Sequence, residues 1–315
     1  MTILVSAGRC AELHSPVIRF KITSAQDRKM RIEPLHEDLG VTVSGITLSG
    51  DLTETEIESI RSIIDQYSVV HFPGQEMTDE KQLAFTRLFG EPEAEHVAFG
   101  SRGAVNYFGT VGNIKDDGST ADSTSARYQS GNQLWHSDSS FRETPSYISI
   151  LHAYEVPGKG GDTEFASMRS GYTRLGADMR RTLDPLFVIH DYVFSRSPIA
   201  PVDPNHAASL PPVVHPIIRI NPSNQQKNIY IGSHARSVIG MTGMDSRKIL
   251  DSLLEHTTEP AHVVRHSWQP GDTVIWDNRC VLHRGSGYDA NRWRRRLRQT
   301  RVVGNEVGVI PCVPS

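Results

Sequence analysis

Cysteine is nearly absent: Cys10, Cys280 and Cys312 stand far apart in 315 residues and form no Cys-x-x-Cys pair. That excludes a disulfide framework and a thiolate zinc site, and a reducing, cytoplasmic setting is the expectation. No apolar run approaches the roughly 20 residues a membrane helix requires. The start lacks the basic, apolar and small-residue order of a secretory signal. An excess of charge of one sign is missing too: 33 Lys+Arg against 36 Asp+Glu leave a formal charge of −3. No global field therefore recruits nucleic acid or an anionic membrane, and the expected partner is a small molecule. Assembly into a homo-oligomer stays open.

What is present suffices to bury one core. The chain is expected to divide into an extension over 1–29, a single domain over 30–305 and a tail over 306–315. The extension carries Arg9, Arg19 and Arg28 with few acids, a composition common in disordered tails and weakly similar to a transit peptide. In the domain, Thr53 and Glu56 make a capping box, and Ile57, Ile60, Ile63 and Ile64 recur at helical spacing. They predict a helix ending near Tyr67. A buried strand over Ser68–Phe72 and a helix over Thr78–Phe89 follow.

Beyond Tyr147 short strand-like runs dominate: Tyr147–His152, Asp162–Phe165, Leu186–His190, Val213–Ile220, Ile229–Ile231, Val263–Trp268, Thr273–Trp276 and Trp293–Val303. Helices interrupt them around Met168–Leu183 and from Asp245 to Thr257. Regular strand–helix alternation, which a Rossmann sheet needs, is missing. The pattern predicts a mainly β fold with flanking helices, of jelly-roll type. Gly100–Gly131, rich in Gly, Ser, Asp and Thr, is expected to be a lid-like loop.

The chemistry gathers at Trp135-His136-Ser137-Asp138, with His283 far downstream. On an extended strand, residues two apart project to one face, so His136 and Asp138 can reach one ion. A third ligand must come from elsewhere. Two imidazoles and a carboxylate on one face of an octahedron leave three positions open, as in non-haem Fe(II) oxygenases. The same ligands with a water would also suit zinc in a hydrolase, or a cupin-like small-molecule binding protein. Among 14 histidines a His-x-Asp pair alone says little.

Order along the chain says more. After the pair come Gly160-Gly161-Asp162-Thr163, then Gly271-Asp272-Thr273-Val274-Ile275-Trp276-Asp277-Asn278, His283 and an arginine-rich run. From Met30 to Gly304 this order resembles the taurine and 2,4-dichlorophenoxyacetate dioxygenase family. Gly131–Phe141 and Trp276–Arg284 are most similar to its phenoxyacetate-herbicide branch. The resemblance implies a double-stranded β-helix in which His136, Asp138 and His283 hold Fe(II). It implies a dioxygenase that consumes 2-oxoglutarate and O₂, releases succinate and CO₂ through an Fe(IV)-oxo oxidant, and hydroxylates a small anionic substrate. C–O, C–N or C–S cleavage can follow such a hydroxylation.

2-Oxoglutarate has a distal carboxylate to be held, which suits the planar fork of arginine. In Arg292-Trp293-Arg294-Arg295-Arg296-Leu297-Arg298, alternation is expected to put Arg294, Arg296 and Arg298 on one face and Arg295 and Leu297 on the other. By position after His283, the resemblance implies that Arg294 grips that carboxylate, assisted by Thr163, and that Arg298 binds the substrate's carboxylate or sulfonate. It also implies substrate contacts from Asn132 and His96, and a place for Trp276 beside the metal pocket. Elsewhere, His71, His152, His190 and His215 sit in apolar surroundings and read as core histidines. Cys280 reads as a buried small hydrophobe.

Overall fold

The structure is a computed structural model; it describes residues 30–95, 106–115, 117–121 and 130–305. The 1–29 extension, the 306–315 tail, His96 and parts of 100–131 lie outside the described residues. The strands are β1 (Arg31–Pro34), β2 (Val41–Ser44), β3 (Val69–Phe72), β4 (Gly109–Gly112), β5 (Ser146–Glu155), β6 (Thr163–Ser167), β7 (Phe187–His190), β8 (Val213–Pro216), β9 (Ile218–Ile220), β10 (Lys227–Ile229), β11 (Ala235–Val238), β12 (Val263–His266), β13 (Thr273–Asp277), β14 (Val281–Gly285) and β15 (Arg296–Val303). The principal sheet has seven strands in the order β1-β2-β3-β13-β5-β15-β4, and a second has the order β12-β6-β14. Smaller sheets are β11-β7-β8 and β10-β9. The architecture is mainly β with helices. Among the described residues no helix is long and apolar enough to cross a membrane.

Side-chain alternation explains how the principal sheet is buried on both faces. Val70 and Phe72 of β3, Ile148 and Ile150 of β5, Ile275 of β13 and Val302 of β15 join one apolar cluster with Ile60, Ile63 and Ile64 of helix α1 (Glu54–Tyr67). Phe85 of helix α2 (Asp79–Arg87) and Phe89 complete it. The alternate residues Val69, Leu151, Val274, Trp276 and Leu297 meet Phe165 of β6, Val264 of β12 and Val281 of β14 on the other face. The two sheets thus form a sandwich, and each fully buried large side chain contributes about 1.5–3 kcal/mol.

Local chemistry sets the element ends. The expected capping box is present: Thr53 Oγ1 accepts from the Glu56 amide, and the Glu56 carboxylate accepts from the Thr53 amide at 2.9 Å. The expected helix over Met168–Leu183 is two helices, Met168–Arg174 and Ala177–Leu183, because Leu175 leaves helical geometry and Gly176 starts a new N-terminus. The run Val213–Ile220 likewise divides into β8 and β9. Part of the expected lid-like loop is strand: Gly109–Gly112 pairs antiparallel with β15. The open edge of β15 supplies a hydrogen-bond template that composition does not report.

Several histidines are buried neutral in this framework. Burial, with Arg219 nearby, pushes His215 down to about 4; burial pushes His152 down to about 4. His190 falls in the same direction, from burial first and then His215 and Arg219. Between their ordinary 6.5 and these lower values, the unfolded chain binds protons that the folded chain refuses. Stability is therefore full above pH 6.5 and declines as pH falls toward 4. Melting temperatures recorded from pH 7.5 to 4.5 should drop steadily; a flat profile would contradict neutral burial.

Candidate metal centre

His136 and His283 are joined by reciprocal backbone hydrogen bonds, His136 N–H to the His283 carbonyl at 3.0 Å and His283 N–H to the His136 carbonyl at 2.8 Å. Directly opposed antiparallel residues project to one side. Their rings accordingly lie with centroids 4.2 Å apart. The extended strand expected around His136 is instead this isolated bridge. Ser137 Oγ donates to the Asn278 carbonyl at 2.6 Å and the Asp138 amide donates to Asn278 Oδ1 at 3.3 Å, which draws the chain into a turn. Ser139 then takes a φ of 56°.

The three side chains converge. Asp138 Oδ1 is 3.7 Å from Nε2 of His136 and 3.7 Å from Nε2 of His283. Its other oxygen, Oδ2, accepts from Ser149 Oγ at 2.6 Å and Gln299 Nε2 at 2.7 Å, which leaves Oδ1 facing the imidazoles. His136 Nδ1 lies 2.7 Å from the Leu134 carbonyl; donating there, it turns the Nε2 lone pair toward Asp138. Trp276 walls the site, its ring centroid 4.6 Å from that of His283 and its Nε1 donating to Asn278 Oδ1 at 2.9 Å.

Electrostatics prepare a ligand set. Burial lowers His136, and burial together with His136 pushes His283 down to about 3, so both rings stay neutral near pH 7. Burial opposes the Asp138 charge, but His283, His136, Arg301 and the Ser149 hydroxyl outweigh it and hold the carboxylate below its usual range. Neutral imidazoles and a carboxylate are the protonation states metal binding requires. A divalent ion can be held here with positions left for other ligands. Cys280 is no rival nucleophile: fully buried, its thiol is pushed up to about 12.

The arginine run lies the other way round from expectation. Leu297, Gln299 and Arg301 face inward: Gln299 reaches Asp138, and Arg301 donates to Gln299 Oε1 at 3.3 Å, Glu93 Oε1 at 3.2 Å and Glu95 Oε2 at 3.0 Å. Arg298 and Thr300 face outward against α2. Arg298 donates to Asp79 Oδ2 at 2.7 Å and Thr110 Oγ1 at 2.5 Å, and Gln82 Nε2 donates to Thr300 Oγ1 at 3.4 Å. Arg294 is exposed and grips Glu155 at 2.6 and 3.2 Å. In a pleat of period two, an offset of one residue exchanges the faces. Leu297, the one apolar residue of Arg294–Arg298, was the signal that marked the core side.

Arg295 is the buried member, 4% exposed. Its amide donates to Asn113 Oδ1 at 2.8 Å, Nη1 to the Val111 carbonyl at 3.2 Å and Nη2 to the Gly161 carbonyl at 3.1 Å. Its Nε is buried without a hydrogen-bond partner. Burial lowers the guanidinium to about 10, opposed by the charges of Tyr288 and Asp162. Gly161 permits this approach, since a Cβ there would meet Arg295 Nε at 3.2 Å with φ at +74°. Thr163 is buried on β6, opposite Gly285, and accepts from Trp268 Nε1 at 2.9 Å.

Asn132 stands in the turn before His136, where its Oδ1 accepts from Arg196 Nη2 at 3.4 Å. Arg196 was not singled out in the sequence, yet its charge is one of those that lower His136. Gly131 lets it through, because a Cβ there would fall 1.7 Å from Arg196 Nη1. His96 is outside the described residues.

Gln299 positions the carboxylate without touching the metal position. Replacing Gln299 by Leu should weaken divalent metal binding about 10–100-fold, and Ser149→Ala should act in the same direction. Titration with Fe(II) or Co(II) under anaerobic conditions measures it; wild-type affinity in both variants would remove their orienting role.

Known proteins resemble this chain over most of its length. The family model described as taurine catabolism dioxygenase TauD, TfdA family matches residues 31–301. The alpha-ketoglutarate-dependent 2,4-dichlorophenoxyacetate dioxygenase of Burkholderia sp. (strain RASC) is 37% identical over 287 residues, covering 89% of this chain and 96% of that protein. The (S)-phenoxypropionate/alpha-ketoglutarate-dioxygenase of Sphingobium herbicidovorans is 29% identical, covering 87% of this chain and 95% of that one. Among solved structures, AAD-2 in complex with Mn(II) and N-oxalylglycine superposes with a TM-score of 0.81 at 34% identity, over 90% of this chain and 99% of that one.

Proposed function

The chain belongs to the taurine catabolism dioxygenase TauD, TfdA family, and on that premise we propose that it is an Fe(II)- and 2-oxoglutarate-dependent dioxygenase hydroxylating a small anionic substrate. The sandwich of the seven-stranded sheet with β12-β6-β14 is read as the family's double-stranded β-helix, or jelly roll.

The donor chemistry fits the metal. His136 Nε2, His283 Nε2 and Asp138 Oδ1 would hold Fe(II), with Ser149 and Gln299 keeping Asp138 Oδ2 occupied. When bound, Fe(II) with 2-oxoglutarate and O₂ supplies the oxidising power for C–H hydroxylation, with succinate and CO₂ released. The protein contributes position, charge and exclusion of water. Trp276 and Phe165 line the His283 side with aromatic surface and keep water from it.

One observation carries the 2-oxoglutarate reading. Arg295 is a buried cation whose guanidinium hydrogen bonds go to backbone carbonyls and not to a carboxylate among the described residues. A buried charge is costly unless paired, so a ligand carboxylate completes it. Arg295 takes the role that position-counting assigned to Arg294, with the Thr163 hydroxyl two residues beyond Gly161, whose carbonyl Arg295 reaches. The substrate's anion is assigned to Arg196 and Asn132 beside His136, in place of the outward Arg298. The relatives named for 2,4-dichlorophenoxyacetate and phenoxypropionate act on carboxylates, which suits an arginine anchor.

Succinate release from 2-oxoglutarate with Fe(II) and O₂ should be measurable and should vanish in His136→Ala. Arg295→Ala should raise the KM for 2-oxoglutarate about 30-fold or more, the cost of at least about 2 kcal/mol for a buried charge losing its partner. Arg294→Ala should leave that KM unchanged, and the reverse ranking would overturn the assignment. In a panel of carboxylates and sulfonates scored by substrate-stimulated succinate release, Arg196→Ala should raise the KM of the best substrate about tenfold or more while uncoupled succinate formation persists. An unchanged substrate KM would remove Arg196 as the anchor.

A further inference from the structure

A second group of metal-type donors shares no residue with the first. His71 comes from β3, His266 ends β12 and Asp272 precedes β13. One donor atom from each lies within 4.8 Å of the others. His71 Nε2 is 3.1 Å from Asp272 Oδ1, His266 Nε2 is 3.2 Å from Asp272 Oδ2, and the ring centroids are 4.6 Å apart. The side chains are 16%, 10% and 6% exposed for His71, His266 and Asp272, so the group is largely withdrawn from water.

From the sequence His71 reads as a core histidine; the structure sets it beside His266 and Asp272. His71 Nε2 and His266 Nε2 are buried and stand beside the Asp272 carboxylate, whose charge the two rings favour, yet neither is aligned on its oxygen as a well-directed hydrogen bond would be. An N–H that bonded to Asp272 would have to aim at its oxygen. Donors on a metal aim instead at a common third point while staying close to one another. With Zn–N and Zn–O bonds of about 2.0–2.1 Å, neighbouring ligand atoms in a tetrahedron stand about 3.3–3.4 Å apart. His71 Nε2 faces Oδ1 at 3.1 Å and His266 Nε2 faces Oδ2 at 3.2 Å, near that spacing if both oxygens of Asp272 hold the ion.

The surroundings orient the donors as supporting groups orient ligands elsewhere. Thr42 Oγ1 is 3.2 Å from His71 Nδ1, the Gln269 amide donates to Asp272 Oδ2 at 2.9 Å, and the Trp268 ring stands edge-on to His266 at 4.5 Å.

We infer that His71, His266 and Asp272 form a second divalent-cation site, of zinc type, with a further position for water. The ion would clasp β3 of the seven-stranded sheet to β12 of the facing sheet. It would lie one indole ring from Thr163, since Trp268 contacts His266 and donates to Thr163 Oγ1 at 2.9 Å.

Equilibrium dialysis of the full chain against Zn(II), with metal counted by mass spectrometry, tests this independently of catalysis. Wild type should bind two zinc ions, and the His136→Ala/Asp138→Ala variant, whose second group is untouched, should still bind one. Zn(II) should also raise the melting temperature of that variant, as ligand bound only to the native state must. His71→Gln or His266→Gln introduced into it should abolish both the ion and the shift. A single zinc in wild type with none in His136→Ala/Asp138→Ala overturns the inference. So does a second zinc that survives both His71→Gln and His266→Gln.

Discussion

The pair of backbone hydrogen bonds between His136 and His283 is the contact on which the metal centre depends. It brings residues far apart in the chain into direct opposition, so two imidazoles leave the backbone on one side. Asn278 then bends the segment after His136 by accepting from Ser137 Oγ and the Asp138 amide, and it also receives Trp276 Nε1. One asparagine thereby couples the turn that presents Asp138 to the aromatic wall beside His283.

Strand β15 solves the complementary problem of putting charge into a sandwich. Its outer face meets α2 through Arg298 and Thr300, where Asp79 accepts from Arg298 and Gln82 donates to Thr300. Its inner face carries Gln299 to Asp138 and Arg301 to Glu93 and Glu95. Buried charges persist when paired, and Arg301 shows the rule: the acids around it raise its guanidinium although burial opposes them. Arg295 is the exception whose burial lowers it, and a buried cation short of a counter-charge marks a place for an anion.

The same reasoning about where donor axes point separates two kinds of histidine. His215 Nε2 lies 3.1 Å from the carbonyls of Ser140 and Arg142, so its burial is matched by hydrogen bonds. His71 and His266 present Nε2 atoms that converge on the two oxygens of Asp272. Apolar flanking residues look alike in the sequence for both; only the tertiary structure decides what each ring faces.

Much was legible in the sequence because it is written in local patterns. The capping box at Thr53 and Glu56, the isoleucine stripe of α1 and the short β runs depend on neighbours a few residues away, and the order of motifs carried His136, Asp138 and His283 to a family. Local pattern failed where a partner distant in the chain decided the outcome. Gly109–Gly112 became a strand because β15 offered an edge, and His136 left strand geometry because Asn278 captured the next residues. The face of Arg294–Arg298 was decided by the pairing of β15 with β5, with its irregularity at Arg296/Leu297, and by α2 lying outside it. Which ion type the chain suits was therefore determined by residue identity and order. Which arginine is buried beside Gly161, and which residue steadies Asp138, was decided by tertiary register, since a pleat of period two turns a one-residue offset into the opposite face.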